Sequence, residues 1–166
     1  MAKLDGRKLS FQTLNKFVQQ AKDFLKIDKT MMEVFKKYDV SIDELQYIPI
    51  YFGELDVSAK TSHGMIVLNF KLIENGSFFE DYSYIVHEVT HWLQQTTADK
   101  PTKSSAGEDY LDNKYEQESF QRQIQFIADQ LSEQKAHKYV DNLLDYHEIE
   151  NKKERKEKEE IFKEKI

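Results

Sequence analysis

Between Ser77 and Thr96 the chain contains no Gly or Pro. Ser77 is followed three residues later by Glu80 and then by an apolar run, which is the signature of a capped helix N-terminus. The pattern predicts a helix over residues 78–96. Its middle reads YIVHEVTHWLQQ, from Tyr84 to Gln95. Ile85, Val86, Val89, Thr90, Trp92 and Leu93 carry no charge, and they surround His87, Glu88 and His91. Polar groups inside an uncharged sleeve cost free energy unless they have a partner.

A metal ion is one such partner. Residues four apart on a helix project from the same face, so His87 and His91 can bind one Zn2+ at about 2.0–2.1 Å each. Glu88 points to a neighbouring part of that face, within reach of a zinc-bound water without being a ligand. This is the logic of HExxH, two ligands and one general base. The competing reading is a core helix whose histidines bond to backbone or carboxylates. The chain has no cysteine, which removes disulfides, thiolate zinc sites and cysteine nucleophiles together. Any metal must be held by His, Asp or Glu.

A catalytic zinc takes three protein ligands and keeps one open position. The metzincin extension of the motif needs Gly at position 94 and His at position 97, where this chain has Gln94 and Thr97. His137 and His147 stand alone among charged residues and are expected in solvent. The segment DNKYEQESFQRQ offers carboxylates instead. Glu116 lies four before Phe120 and eight before Ile124, on the apolar, inward stripe of a predicted helix. It is the expected third ligand, although a glutamate at a helix start also suits the helix dipole. Glu118 falls on the polar face with Arg122 and Gln125 and is the fallback ligand.

The remaining pattern predicts a mostly helical α+β domain over residues 1–148. Residues 8–38 read as two helices parted near Asp28–Lys29. Tyr47–Leu55 (YIPIYFGEL) and Met65–Phe70 (MIVLNF) read as strands, with His63 and Gly64 as a turn. Residues 47–70 are thus expected to form a small antiparallel or mixed sheet packed on the 78–96 helix. Pro49 belongs at an edge or a strand start. Pro, Ser, Gly and charges make 97–110 a surface loop, and one long helix follows over 113–144. Residues 149–166 are a Lys/Glu tail, either a solvated helix or disordered.

The chain's 166 residues are one domain's worth. Net charge −6 gives no nucleic-acid footprint. The N-terminal MAKLDGRKLSFQTLNKF has no apolar core of a secretory signal, and apolar runs such as Met65–Leu68 are too short to span a bilayer. A cytoplasmic protein with no membrane contact is expected.

HEVTH followed by a Glu on a second helix resembles the gluzincin branch of the zincin metallopeptidases. The stretch Glu116-Gln117-Glu118-Ser119 is similar to that of compact members such as the ImmA/IrrE-like proteins and small phage-encoded peptidases. The resemblance covers roughly residues 47–130. It implies a zinc-dependent endopeptidase in which Glu88 assists attack by water on a peptide carbonyl. A Tyr or His often adds a hydrogen bond to the oxyanion, for which Tyr110, Tyr115 and His63 are candidates. It also implies a protein or peptide substrate bound as an extended strand, against the backbone of residues 66–69. Members often carry Asn or Asp four after the ligand Glu. Here Phe120 stands in that place, so the hydrogen bond that orients a ligand histidine must come from elsewhere. The alternative is a zinc-binding domain that does not cleave and serves as a sensor or interaction module.

Overall fold

The computed structural model describes residues 4–74, 76–98 and 110–166. Most of the loop expected over 97–110 lies outside these residues.

Two amphipathic helices open the fold. Ser10 caps α1 (Phe11–Leu25), its hydroxyl accepting from the Thr13 N–H at 3.1 Å. Asp28 caps α2 (Lys29–Lys37), accepting from the Met31 N–H at 3.0 Å. These caps satisfy amide groups that the first helical turn leaves open, and they place the break where the sequence predicts it. Phe17, Val18, Ala21 and Leu25 of α1 and Met31, Val34 and Phe35 of α2 enter the first core.

The strand expected over 47–55 is shorter. Ile42–Tyr47 is a 3-10 turn capped by Ser41, and the buried Lys22 ammonium holds its end by donating to the carbonyls of Gln46 (3.1 Å) and Ile48 (2.7 Å). Only Ile50–Gly53 forms β1. A strand that the sequence did not announce, β2 (Ala59–Ser62), precedes β3 (Met65–Asn69). His63 and Gly64 both have positive φ, 53° and 76°, the conformation that turns a two-residue hairpin with the right twist. β2 therefore pairs antiparallel with β3, Lys60 opposite Val67. β1 is left to join the other side of β3, where it runs parallel, Ile50 opposite Ile66. The sheet is mixed, in the order β1-β3-β2.

Its central strand is β3, so the expectation that residues 66–69 offer a free backbone edge is wrong. The Ile66 N–H goes to Pro49 on one side, and the Asn69 N–H goes to Ser58 on the other. The outer strands are β1 and β2. Alternation along an antiparallel ladder, fixed by the Asn69–Ser58 bond, turns the backbone groups of Ala59 and Thr61 away from β3.

Ile66 and Leu68 bury one face of the sheet against α3 (Phe78–Thr97). Ser77 caps α3, accepting from the Glu80 N–H at 3.4 Å. The expected long helix is two. α4 (Lys114–Gln130) stops at Leu131, and Ser132 caps a new helix, α5 (Glu133–Tyr146), by accepting from the Lys135 N–H at 3.0 Å. The cap wins because Ser at this position satisfies a first-turn amide better than it serves a helix interior. The Lys/Glu segment forms α6 (Lys152–Phe162), with Phe162 fully buried. Phe162 joins Leu111, Phe120, Ile124, Ile127, Val140 and Leu144 in a second core. Residues 149–166 are thus packed on the rest and not a free tail. α3 and α4 lie side by side between the two cores. No helix among the described residues is long and apolar enough to cross a membrane.

Candidate metal centre

α3 is buried on nearly every side, with Ile85, Val86, Val89 and Leu93 in the first core. The face carrying His87 and His91 meets α4. On α4 the facing stripe is Glu116, Ser119 and Gln123, spaced three and four apart as one helical face requires, and all three are buried.

Each imidazole is held by its Nδ1. His87 Nδ1 lies 3.0 Å from Gln123 Oε1. His91 Nδ1 lies 2.8 Å from Gln94 Oε1 and 3.3 Å from Ser119 Oγ. The Gln94 amide has a forced orientation. Its nitrogen donates to the Tyr115 carbonyl (3.0 Å) and to Glu118 Oε1 (2.8 Å), neither of which can donate in return. Its oxygen therefore accepts, and His91 Nδ1 carries the proton. Gln123 is fixed in the same sense: its nitrogen donates to Ser83 Oγ (3.3 Å), which itself donates to the Glu80 carbonyl (2.7 Å). With the Nδ1 atoms as donors, both Nε2 atoms are left as acceptors.

Those two Nε2 atoms converge on Glu116. Its Oε1 is 3.8 Å from His87 Nε2 and in direct contact with His91 Nε2. Two acceptors do not approach each other without a cation between them. In the metal-free protein that cation is a proton added to the otherwise neutral His91 imidazole. Burial lowers the affinity of His91 for it, but the hydrogen bond and charge of Glu116 outweigh burial and raise the imidazole above its usual range. Burial likewise raises Glu116, and its interactions with the two neighbouring imidazoles, His87 and His91, outweigh burial and hold the carboxyl far below its usual range. The second Glu116 oxygen, Oε2, is buried and has no partner in hydrogen-bonding geometry among the described residues, although the Tyr110 hydroxyl stands nearby. Two imidazole nitrogens and a buried carboxylate that meet at one place form a donor set able to hold a metal ion.

Glu88 also belongs to the cluster. Its carboxylate and the two imidazoles offer ligand atoms within 4.8 Å of one another. Geometry separates the two glutamates. Glu116 meets both imidazoles, whereas Glu88 Oε2 comes within 3.9 Å of His87 only. The other Glu88 oxygen accepts from Thr61 Oγ1 at 3.1 Å, and the same hydroxyl lies 3.0 Å from the Glu88 carbonyl. Glu88 is thus drawn to the β2 side, beside the convergence point.

A cleft of about 160 Å³ opens over the cluster, lined by Ala59, Lys60 and Thr61 of β2, His87, Glu88, His91 and Gln95 of α3, and Tyr110, Tyr115 and Glu116. Tyr110 is raised far above the usual phenol range by burial and by the charge of Glu116. Tyr115 is half-exposed at the rim. His63 sits in the β2–β3 turn and does not line the cleft. Glu118 is engaged elsewhere, by Gln94, Tyr38 and Lys37. His147, expected in solvent, is half-buried and stacks on the Tyr110 ring at 5.2 Å.

The sequence reading missed Gln94, Ser119, Gln123 and Thr61. Ser119 and Gln123 share the stripe of Glu116, and Gln94 lies one turn beyond His91, so helical period could have found these three. Thr61 lies on a strand with no strand signal. Comparison of the chain with family models, with curated proteins and with solved structures returns no match.

Proposed function

We propose that the protein is a zinc-dependent endopeptidase of the gluzincin kind. The observation that carries this reading is the convergence of His87 Nε2, His91 Nε2 and the buried Glu116 carboxylate, with Glu88 held beside them at the floor of a cleft. In this reading His87, His91 and Glu116 hold the metal. Zn2+ bound there supplies a Lewis acid that polarises a carbonyl and brings water to ionise near neutral pH.

The chain's own groups do the rest. Glu88 Oε2 is the general base, taking a proton from the attacking water and returning it to the leaving amine. Thr61, through its bond to the other oxygen, keeps that carboxylate turned to the cleft. Tyr110 keeps its phenolic proton and is placed to donate it as a hydrogen bond where negative charge develops on the carbonyl oxygen. The outer edge of β2 gives an extended protein or peptide substrate a backbone partner at Ala59 and at Thr61, where it would displace the Gln95 side chain, whose Nε2 donates to the Thr61 carbonyl at 3.4 Å.

The test pairs zinc content with cleavage of a peptide library made from denatured proteins. Glu88→Gln keeps one zinc per chain and loses cleavage. Cleavage by Glu88→Gln at the wild-type rate contradicts the assignment of the base. A wild type that holds zinc and cleaves nothing in the library favours the non-cleaving sensor or interaction module.

A further inference from the structure

The two imidazoles are held alike, each by a glutamine amide, but the amides are backed differently. Behind Gln123 stands the neutral hydroxyl of Ser83. Behind Gln94 stands a carboxylate. Glu118 Oε1 accepts from Gln94 Nε2 at 2.8 Å and also from the Tyr38 hydroxyl, and Glu118 Oε2 pairs with Lys37. The Glu118 side chain is 13% exposed, so water screens it little. Tyr38 and Lys37 belong to the end of α2, so the chain of contacts leads from the first helices through α4 and α3 to His91.

A histidine that binds a metal through one nitrogen is oriented, and made more basic, by what accepts from the other. A carboxylate does this most strongly, and among the described residues the partners at Nδ1 are Gln123 for His87 and Gln94 and Ser119 for His91. On the His91 side an amide stands between. The negative oxygen of Glu118 draws on the Gln94 N–H, which polarises the amide and makes its oxygen a better acceptor for His91 Nδ1–H. Electron density is thereby pushed toward His91 Nε2.

We propose, resting on the metal centre read above, that Gln94 and Glu118 are positioning residues for His91. Together they form a carboxylate–amide–imidazole relay, braced by Lys37 and Tyr38, that sets how tightly the centre holds its metal. Glu118, two residues from Glu116, then acts on the site through Gln94 and not as a ligand.

The competing account is structural: Glu118 with Lys37 and Tyr38 only ties α2 to α4. Zinc affinity, measured by competition against a chromophoric chelator, separates the two. The relay predicts that Gln94→Leu and Glu118→Gln each weaken zinc binding roughly 10–100-fold. It predicts that the double variant binds no worse than Gln94→Leu alone, because the carboxylate's effect has no other path. It also predicts that the exchange Gln94→Glu with Glu118→Gln, which sets the carboxylate directly on His91, restores affinity to near that of the wild type. Glu118→Gln binding zinc as the wild type does overturns the proposal, as do losses that multiply in the double variant or an exchange variant that fails to recover. Zinc bound equally by the wild type and all four variants overturns the relay alone. A wild type that takes up no zinc overturns the metal centre and the relay with it.

Discussion

At the scale of single residues, the pair His91 and Glu116 decides how the metal-free protein responds to pH. Glu116 is held below its ordinary value of 4.5 and His91 above its ordinary value of 6.5. A depressed carboxyl contributes stability that is present above its unfolded value and is lost as pH falls through the folded one. A raised histidine contributes stability that is present below its unfolded value and is lost as pH rises through the folded one. Both contributions are complete between about pH 4.5 and 6.5. Thermal unfolding of the chelator-treated protein should show a Tm maximum in that window, and the maximum should flatten in Glu116→Gln. A profile unchanged in Glu116→Gln would contradict the pairing. Thr61 has a separate role at this scale. Thr61→Val keeps the branched shape and removes the hydroxyl that holds Glu88. It should lower kcat with zinc content unchanged, and loss of zinc from this variant would show that Thr61 supports the ligands instead.

At the scale of elements, the second core reaches the site through a column of rings. Phe162 of α6 packs on Phe120 with ring centroids 5.9 Å apart, and Phe120 packs on His87 at 4.5 Å. Lys158 of the same helix pairs with Asp112, next to Tyr110. Truncating a fully buried phenylalanine costs about 3–5 kcal/mol, so Phe162→Ala should lower stability by that order in denaturant unfolding. Because the column ends on His87, zinc affinity should fall as well. Stability lost without any change in zinc affinity would make α6 a structural prop only. This link was not legible in advance. The stretch from 150 onward reads as Lys and Glu, and a single Phe among them gives no sign of which surface it covers. The break between α4 and α5 was legible in part, since Ser132 is a capping residue, but the apolar stripe ran through it from Ile127 to Leu131 and suggested continuity. β2 was the hardest element to see. Ala59-Lys60-Thr61-Ser62 has little strand propensity of its own, and it is held by pairing with β3 and by the hairpin turn.

At the scale of the whole molecule, the sheet and the first helices form one core, α4 to α6 form a second, and the histidine helix lies between them. The α+β class, the capped helix and the inward place of Glu116 followed from period and capping, because those are local rules. The order of the strands did not, because it depends on which edge of β3 the hairpin leaves open. That difference moved the proposed substrate edge from residues 66–69 to β2. The central claim is that this arrangement holds one metal ion between α3 and α4. Elemental analysis of protein purified without chelator tests it most directly, with His87→Ala/His91→Ala as the comparison. The account predicts one zinc per chain in the wild type and essentially none in the double variant. A wild type without zinc, or a double variant that retains it, would contradict the account.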